Sequence, residues 1–161
     1  MSGPRPSAFN SPLESGVRAL AVLVPAYPQA YDLGRLVSFD HLIVHTADVG
    51  GPQSLHPRLP LRAAELLVRR GIVEQGLNLM LHRGLIERAT STRGIEYRAG
   101  EQAGSIMAAF ETPYLVELRE RGEWVSQTCG QLSEDGLRDL MSRIFGEWIA
   151  DFRSVQHEMG V

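Results

Sequence analysis

The 161-residue chain has a single cysteine, no lysine and no long uninterrupted apolar run. One cysteine, Cys129, excludes an intrachain disulfide and fits a protein of the reducing cytoplasm. The lack of an apolar run of about 20 residues argues against a membrane-spanning helix, so we expect no membrane partner. All 16 basic residues are arginines. Codon usage in a GC-rich genome explains this more simply than a need for the bidentate arginine fork.

The opening stretch, MSGPRPSAFNSP, also lacks the apolar core of a signal peptide. We interpret residues 1–11 as a flexible arm, residues 12–153 as a single domain and residues 154–161 as a C-terminal tail. Charge is uneven, because residues 58–98 hold eight arginines against four glutamates while the flanking segments are acidic. A basic segment within an acidic chain suits nucleic acid or an acidic protein surface.

The stretch Pro60–Ala103 carries the most regular pattern in the chain. Apolar residues at helical spacing fill Leu61–Leu67, and Gly71 interrupts them. A second helix is predicted over Ile72–His82, where the apolar residues return to one stripe. Gly84 follows at the place where a helix C-terminus favours glycine. The pattern therefore predicts two helices separated by a turn.

Two alternating segments come next, Leu85–Ala89 and Ile95–Ala99, and alternation is typical of half-buried strands. The polar residues 90–94 between them end in glycine, which predicts a hairpin turn. Helix, turn, helix and hairpin together predict a winged helix-turn-helix core. The predicted fold class is mainly α with a small β-hairpin, in which this core carries additional N- and C-terminal helices.

Helices are predicted on both sides of the core. The first covers Pro12–Val24, and a second, apolar on most sides and so expected to be buried, covers Asp32–Thr46. After the hairpin, Glu101–Gly122 is predicted to be helical, with a kink or an interruption at Pro113. A last helix is predicted after Ser133. The predicted N-caps are Ser11, Asp32 and Ser133.

A proline- and glycine-rich loop over Ala47–Pro60 is long for a simple connection, which favours a docking role. The neighbouring arginines add concentrated positive charge that suits an acidic partner. The last helix has a wide apolar stripe, which either packs on the rest of the domain or contacts a partner. The predicted protein interface comprises Pro52, Leu55, His56, Pro57, Arg58, Arg62, Arg69, Arg70, Trp148 and Phe152.

Residues that could carry chemistry are few. A phosphate-binding loop is absent, because the glycine pair at 50–51 lacks a following lysine, and no nucleophile–base pair is recognisable. His41 and His45 are four residues apart, with Asp48 and His56 further on, and this spacing could hold a divalent metal ion. Neither a zincin-type glutamate nor a cysteine pair accompanies them, so burial or capping is the favoured interpretation. We predict no metal, no cofactor and no enzymatic activity.

DNA contact is the usual role of a winged helix, through the second helix of its motif. Here that helix has Glu74 on its predicted exposed face and no arginine in its first half, which disfavours phosphate contact. The hairpin is better suited, with Arg88, Arg93 and Arg98 as candidate DNA contacts and the first and last of these side by side. Protein contact is the favoured role, and DNA contact through the hairpin stays open.

Three stretches resemble one protein family: FNSPLESGVRAL, DLGRLVSFDHLIVHTADVGGPQSLHPRLPLR and ELLVRRGIVEQGLNLMLHRGLIE. Over most of residues 9–152 the chain is similar to the middle component of ABC-three-component systems, a group that includes Lamassu-type anti-phage defence operons. The resemblance implies an accessory subunit that bridges or regulates two others. One is a large ABC ATPase similar to structural-maintenance-of-chromosomes (SMC) proteins, and the other is an effector that is often a nuclease. The resemblance implies no ligand residues. From the length of the loop and the positive charge beside it, we predict that residues 50–62 and the first helix of the motif, with Arg62, Arg69 and Arg70, contact the ATPase.

Two functions then compete. The first is a non-catalytic interaction subunit of a bacterial defence complex. The second is a free winged-helix transcription regulator, because residues 84–103 are similar to the wing of MarR-like repressors. The apolar excess outside the motif and the acidic second helix favour the first. A neighbouring gene for an SMC-like ATPase would support the first, and a divergent promoter beside a transporter gene would support the second.

Overall fold

The computed structural model describes residues 11–57 and 63–158, with side chains described over 11–57 and 68–146. This part of the chain is mainly helical with a small three-stranded antiparallel sheet, as the predicted class has it at the level of helix and strand content. Its elements, in chain order, are α1 (Pro12–Ala26), β1 (Tyr31–Asp32), α2 (Leu33–Leu42), a 3-10 helix (Thr46–Val49), α3 (Ala63–His82), β2 (Ile86–Ser91), β3 (Gly94–Ala99), α4 (Ala103–Ala108), α5 (Pro113–Cys129) and α6 (Glu134–Glu158). None of its helices is long and apolar enough to cross a membrane.

Side-chain caps begin three helices where the sequence predicts them. Ser11 Oγ accepts a backbone N–H bond from α1 at 3.2 Å, and Asp32 Oδ1 accepts one from α2 at 2.7 Å. Ser133 Oγ accepts one from α6 at 3.0 Å. Each cap satisfies an N–H group that the helix itself leaves without a partner, so helix starts are encoded locally.

The predicted turn at Gly71 is wrong, because Ala63–His82 is one continuous helix. A glycine inside a helix costs only about 1 kcal/mol relative to alanine, and packing against the rest of the domain outweighs this. The predicted end of the helix is confirmed. Gly84 has a φ of 71°, the left-handed conformation in which a helix commonly terminates.

Other boundaries depend on the surroundings. The second helix ends at Leu42 rather than at Thr46, because the following loop turns back on it. The backbone N–H groups of Leu55 and His56 both donate to the carbonyl oxygen of Val44 at 3.1 Å. Further on, α4 stops before Pro113 and α5 starts there, so the predicted interruption is confirmed, and proline occupies a first-turn position that it suits.

The hairpin is confirmed with slightly shifted boundaries. Strands β2 and β3 pair antiparallel from Ile86 opposite Ala99 to Ser91 opposite Gly94. The short β1 pairs with the other edge of β3, so the strand order is β1-β3-β2. The sequence does not predict β1, because two residues are too few to show an alternating pattern.

The core forms where α1 packs between α3 and α5, and α1 is therefore buried on most sides. The described part of α6 adds its own buried face, which supports the packing interpretation for the first half of the apolar stripe. Buried core side chains include Leu20, Leu23, Phe39, Leu77, Met107, Leu118, Leu137, Met141 and Ile144. Helices α1 and α3 approach most closely at Gly16 and Gly76, where a side chain on either residue would meet the other helix.

Two glycines of α3 provide a matched pair. A Cβ on Gly76 would lie 2.6 Å from the carbonyl oxygen of Pro12 and 2.7 Å from the backbone nitrogen of Gly16, whereas one on Gly71 would meet nothing within 4 Å. Gly76→Ala is expected to destabilise the protein by about 1–3 kcal/mol, because the helix backbones must separate. Gly71→Ala is expected to stabilise it by about 0.5–1 kcal/mol through helix propensity. Urea unfolding measures both, and equal shifts would contradict the close approach at Gly76.

Candidate functional site

A buried polar cluster joins α1, α2 and α3 around the carboxylate of Asp40, which is 5% exposed. Arg18 Nε donates to Asp40 Oδ1 at 2.7 Å, and Ser15 Oγ donates to the same oxygen at 3.1 Å. Arg69 Nη1 donates to Asp40 Oδ2 from the third helix. A buried carboxylate is tolerated only when its charge is paired and its oxygens are hydrogen-bonded. The cluster therefore fixes three helices relative to one another.

Sequence reasoning misses Ser15, Arg18 and Asp40 as members of this cluster. The available signal is a charged residue on an otherwise apolar helix face, since Arg18 interrupts the run of small and branched apolar residues in α1.

Arg69, a predicted interface residue, has a side chain that is only 20% exposed and is paired with Asp40. Its neighbour Arg70 is exposed. The interface assignment stays a prediction, and Arg70 is the better placed of the two for it.

A row of three histidines continues from the cluster to the surface. The rings of His41 and His45 stack with their centroids 4.5 Å apart, and His45 meets His56 edge-on at 6.2 Å. His56 Nε2 lies 2.8 Å from the hydroxyl oxygen of Tyr114 on α5. His41 and His45 are buried, as predicted. Among the side chains that the structure describes, over residues 11–57 and 68–146, no group of three His, Cys, Asp or Glu residues is placed to hold a metal ion.

Burial keeps the histidine row neutral. It lowers the pKa of His41 to about 3, with smaller effects from the charges of His45 and Arg69. Burial likewise lowers the pKa of His56 to about 4 and that of His45 below its usual value. Both ring nitrogens of His41 lack a hydrogen-bond partner in the described part of the chain, which adds a desolvation cost to the folded state.

His41→Phe is expected to leave stability at pH 7 nearly unchanged, because removal of two unsatisfied nitrogens offsets the cost of packing the larger phenyl ring. The folded-state pKa lies below the ordinary 6.5, so the unfolded state binds more protons. With respect to His41, the free energy of unfolding is therefore at its full value above about pH 6.5. It falls as the pH drops towards 3, by about 1.4 kcal/mol per pH unit for the one proton that His41 binds on unfolding. The variant should show a shallower loss in urea titrations between pH 6.5 and 4.5, and an unchanged slope would contradict this.

The predicted docking loop is folded onto the chain's own α5. Thr46 Oγ1 donates to the carbonyl oxygen of Pro52 at 2.8 Å, and Arg121 Nε on α5 donates to that of Gln53 at 3.0 Å. Pro52, Leu55 and His56 are half-buried and Pro57 is exposed. Arg58 and Arg62 lie outside the described residues, and so do the side chains of Trp148 and Phe152. The interface role of all these residues remains a prediction.

The hairpin arginines are exposed, but Arg88 and Arg98 are not side by side as predicted. The strand register places Arg98 opposite Glu87 and Arg88 opposite Tyr97, so adjacent pairs face opposite sides of the sheet. Arg98 Nε lies 3.0 Å from Glu87 Oε2, which leaves Arg88 and Arg93 as the hairpin arginines without an ion pair to a described residue. On α3, Glu74 is exposed, as predicted.

Comparison with known protein families gives a match between residues 8–151 and the family model described as ABC-three component (ABC-3C) system Middle Component 2. The matched range includes every element from α1 to α5 and most of α6. Neither curated proteins nor solved structures give a match. The family match covers far more than half of the chain and therefore shows the family.

Proposed function

The chain belongs to the Middle Component 2 family of ABC-three component systems, and from this premise we propose that it is a non-catalytic subunit that bridges two partners. One partner is an SMC-like ABC ATPase, and the other is an effector, often a nuclease, in a bacterial defence complex of Lamassu type. A middle component is by definition part of a system with several subunits. The match over residues 8–151 carries the proposal. We assign the complex to the cytoplasm.

The chemistry of the buried groups supports a structural rather than a catalytic use. The oxygens of Asp40 are occupied by Arg18, Arg69 and Ser15, which leaves them poorly placed to accept a substrate proton. Burial raises the pKa of the Cys129 thiol, so the reactive thiolate is scarce at neutral pH. These groups stabilise a rigid scaffold, and a rigid scaffold is what a bridging subunit needs.

We further propose that residues 12–99 form a winged helix whose two motif helices are α2 and α3, joined by a long connection in place of the usual short turn. The order α1, β1, α2, α3, β2, β3 supports this, and so does the sheet order β1-β3-β2 with the hairpin as the wing. On this assignment α3 is the helix that would enter a DNA groove. Its exposed Glu74 opposes phosphate, which favours protein contact over DNA contact.

A winged-helix transcription regulator is the second candidate, favoured by the exposed arginines of the hairpin. In fluorescence-anisotropy titrations at physiological salt, the isolated protein is expected to bind duplex DNA weakly, because few phosphates can be contacted, and added salt should weaken the binding further. Arg93→Glu should abolish this binding. Arg138→Glu, which reverses an exposed arginine of α6, is the matched control and should retain the DNA binding. Tight, sequence-selective binding would favour the regulator.

Co-purification tests the bridging proposal. The tagged chain is co-expressed with the ATPase subunit of its own system and, separately, with the effector, and each pair is analysed by size-exclusion chromatography. Stable binary complexes with both are expected. A folded chain that retains neither subunit would overturn the proposal, and it would leave the regulator as the remaining candidate.

A further inference from the structure

A groove of about 360 Å³ lies between the start of α1 and the start of α5. Most of its exposed lining surface is apolar. The lining side chains are Leu13, Glu14, Val17, Arg18, Thr112, Tyr114, Leu115 and Leu118. Two of these side chains are largely open to solvent: Leu13 is 50% exposed and Tyr114 is 38% exposed. Exposed apolar side chains grouped in a concave surface mark a contact site more strongly than scattered ones.

The described lining of the groove holds one carboxylate, Glu14, and one guanidinium, Arg18, and further acidic residues flank it. Glu14 is partly buried, and its carboxylate makes no hydrogen bond or ion pair with any residue that the structure describes. Burial raises the pKa of this carboxyl group, and the positive charge of Arg18 lowers it only in part. A second cation placed directly beside the carboxylate would therefore offset more of the desolvation cost. Two further acidic residues next to the lining, Glu111 and Glu117, are exposed. Arg18, the arginine among the described lining residues, donates to Asp40.

The groove continues into the loop that the sequence predicts as the ATPase contact. Tyr114 lines the groove and its hydroxyl oxygen lies 2.8 Å from Nε2 of His56 in that loop. Gln53 of the same loop is bonded to Arg121, two turns further along α5. The loop and the groove are therefore neighbouring parts of one surface on α5.

We propose that this groove receives an amphipathic segment of the ATPase subunit that carries aliphatic side chains and one arginine or lysine. Apolar anchors would pack against Leu13 and Leu115, and the cation would pair with Glu14. Such a pair gains strength because the partner segment excludes water from it. The choice of the ATPase rests on the proposed function and on the continuity of the groove with the loop.

Isothermal titration of the full-length chain with the ATPase subunit of its own system provides the test. Leu13→Asp is compared with Ile95→Asp on the hairpin, because both wild-type side chains are 50% exposed. Leu13→Asp is expected to weaken binding about 10-fold or more, and Ile95→Asp is expected to bind as the wild type does. Glu14→Arg should weaken binding similarly and Glu14→Gln less. Circular dichroism checks folding, and Tyr114→Ala replaces Leu13→Asp if the latter does not fold.

A photo-crosslinking residue at position 114 identifies the occupant. Crosslinks to an aliphatic ATPase segment that contains arginine or lysine are expected. Crosslinks to the effector or to a second copy of this chain would overturn the proposal. Wild-type affinity in the folded groove variants would also overturn it and leave the bridging function standing. A wild-type chain that binds no ATPase at all would instead remove the proposed function.

Discussion

Asp40→Ala is expected to lower the free energy of unfolding by about 3–5 kcal/mol, because it removes the carboxylate between two arginines at the centre of the helix packing. Breaking a buried ion pair costs more than the pair itself contributes, since a charge is left without its counterion. Arg18 is 3% exposed and cannot reach water without opening the contact between α1 and α2.

Chemical unfolding followed by tryptophan fluorescence measures the effect. Asp139→Ala is the matched control, because Asp139 is exposed on α6 and its replacement is expected to change stability by less than about 0.5 kcal/mol. Equal small effects in the two variants would show that Asp40 does not hold the helices together. They would also show that pairing with Asp40 does not account for the burial of Arg69.

Arg70→Glu is expected to weaken binding to the ATPase subunit by about 2–5 kcal/mol, through loss of a favourable charge pair and gain of a repulsive one. The single substitution is chosen because Arg70 is exposed, whereas reversal of Arg69 would place a second carboxylate beside Asp40 and unfold the chain. The fold is therefore expected to be retained, with an unchanged circular dichroism spectrum.

Titration calorimetry with the purified ATPase compares Arg70→Glu with Arg143→Glu, an exposed arginine on α6 that should have little effect. If the folded Arg70→Glu protein binds as tightly as the Arg143→Glu control, Arg70 does not contact the ATPase. The bridging function would then have to use other surfaces, such as the groove between α1 and α5.

Local features of the fold are predictable from sequence, and long-range ones are not. Ser11 and Asp32 cap their helices through bonds to backbone only three residues away, so the sequence encodes them directly. The continuity of α3 through Gly71 and the early end of α2 at Leu42 depend on partners far away in the chain. Helix propensity contributes about 1 kcal/mol at such positions, so tertiary packing determines whether the helix continues or ends there.

The same distinction applies to the candidate site. The stacking of His41 on His45 is a local contact, because the residues are four apart and the chain turns directly after α2 ends at Leu42. Asp40 joins Arg18 and Arg69 across 22 and 29 residues, and no periodic pattern announces such a contact. Arg69 therefore looks like a surface arginine in sequence, although its side chain is mostly buried.

The most direct test of the bridging role is reconstitution of the complete system by mass photometry, with and without this chain. We expect the ATPase and the effector to form one complex when the chain is present and to remain separate when it is omitted. Adding the purified chain back should restore the complex. A complex of ATPase and effector that forms equally well without the chain would contradict the bridging role.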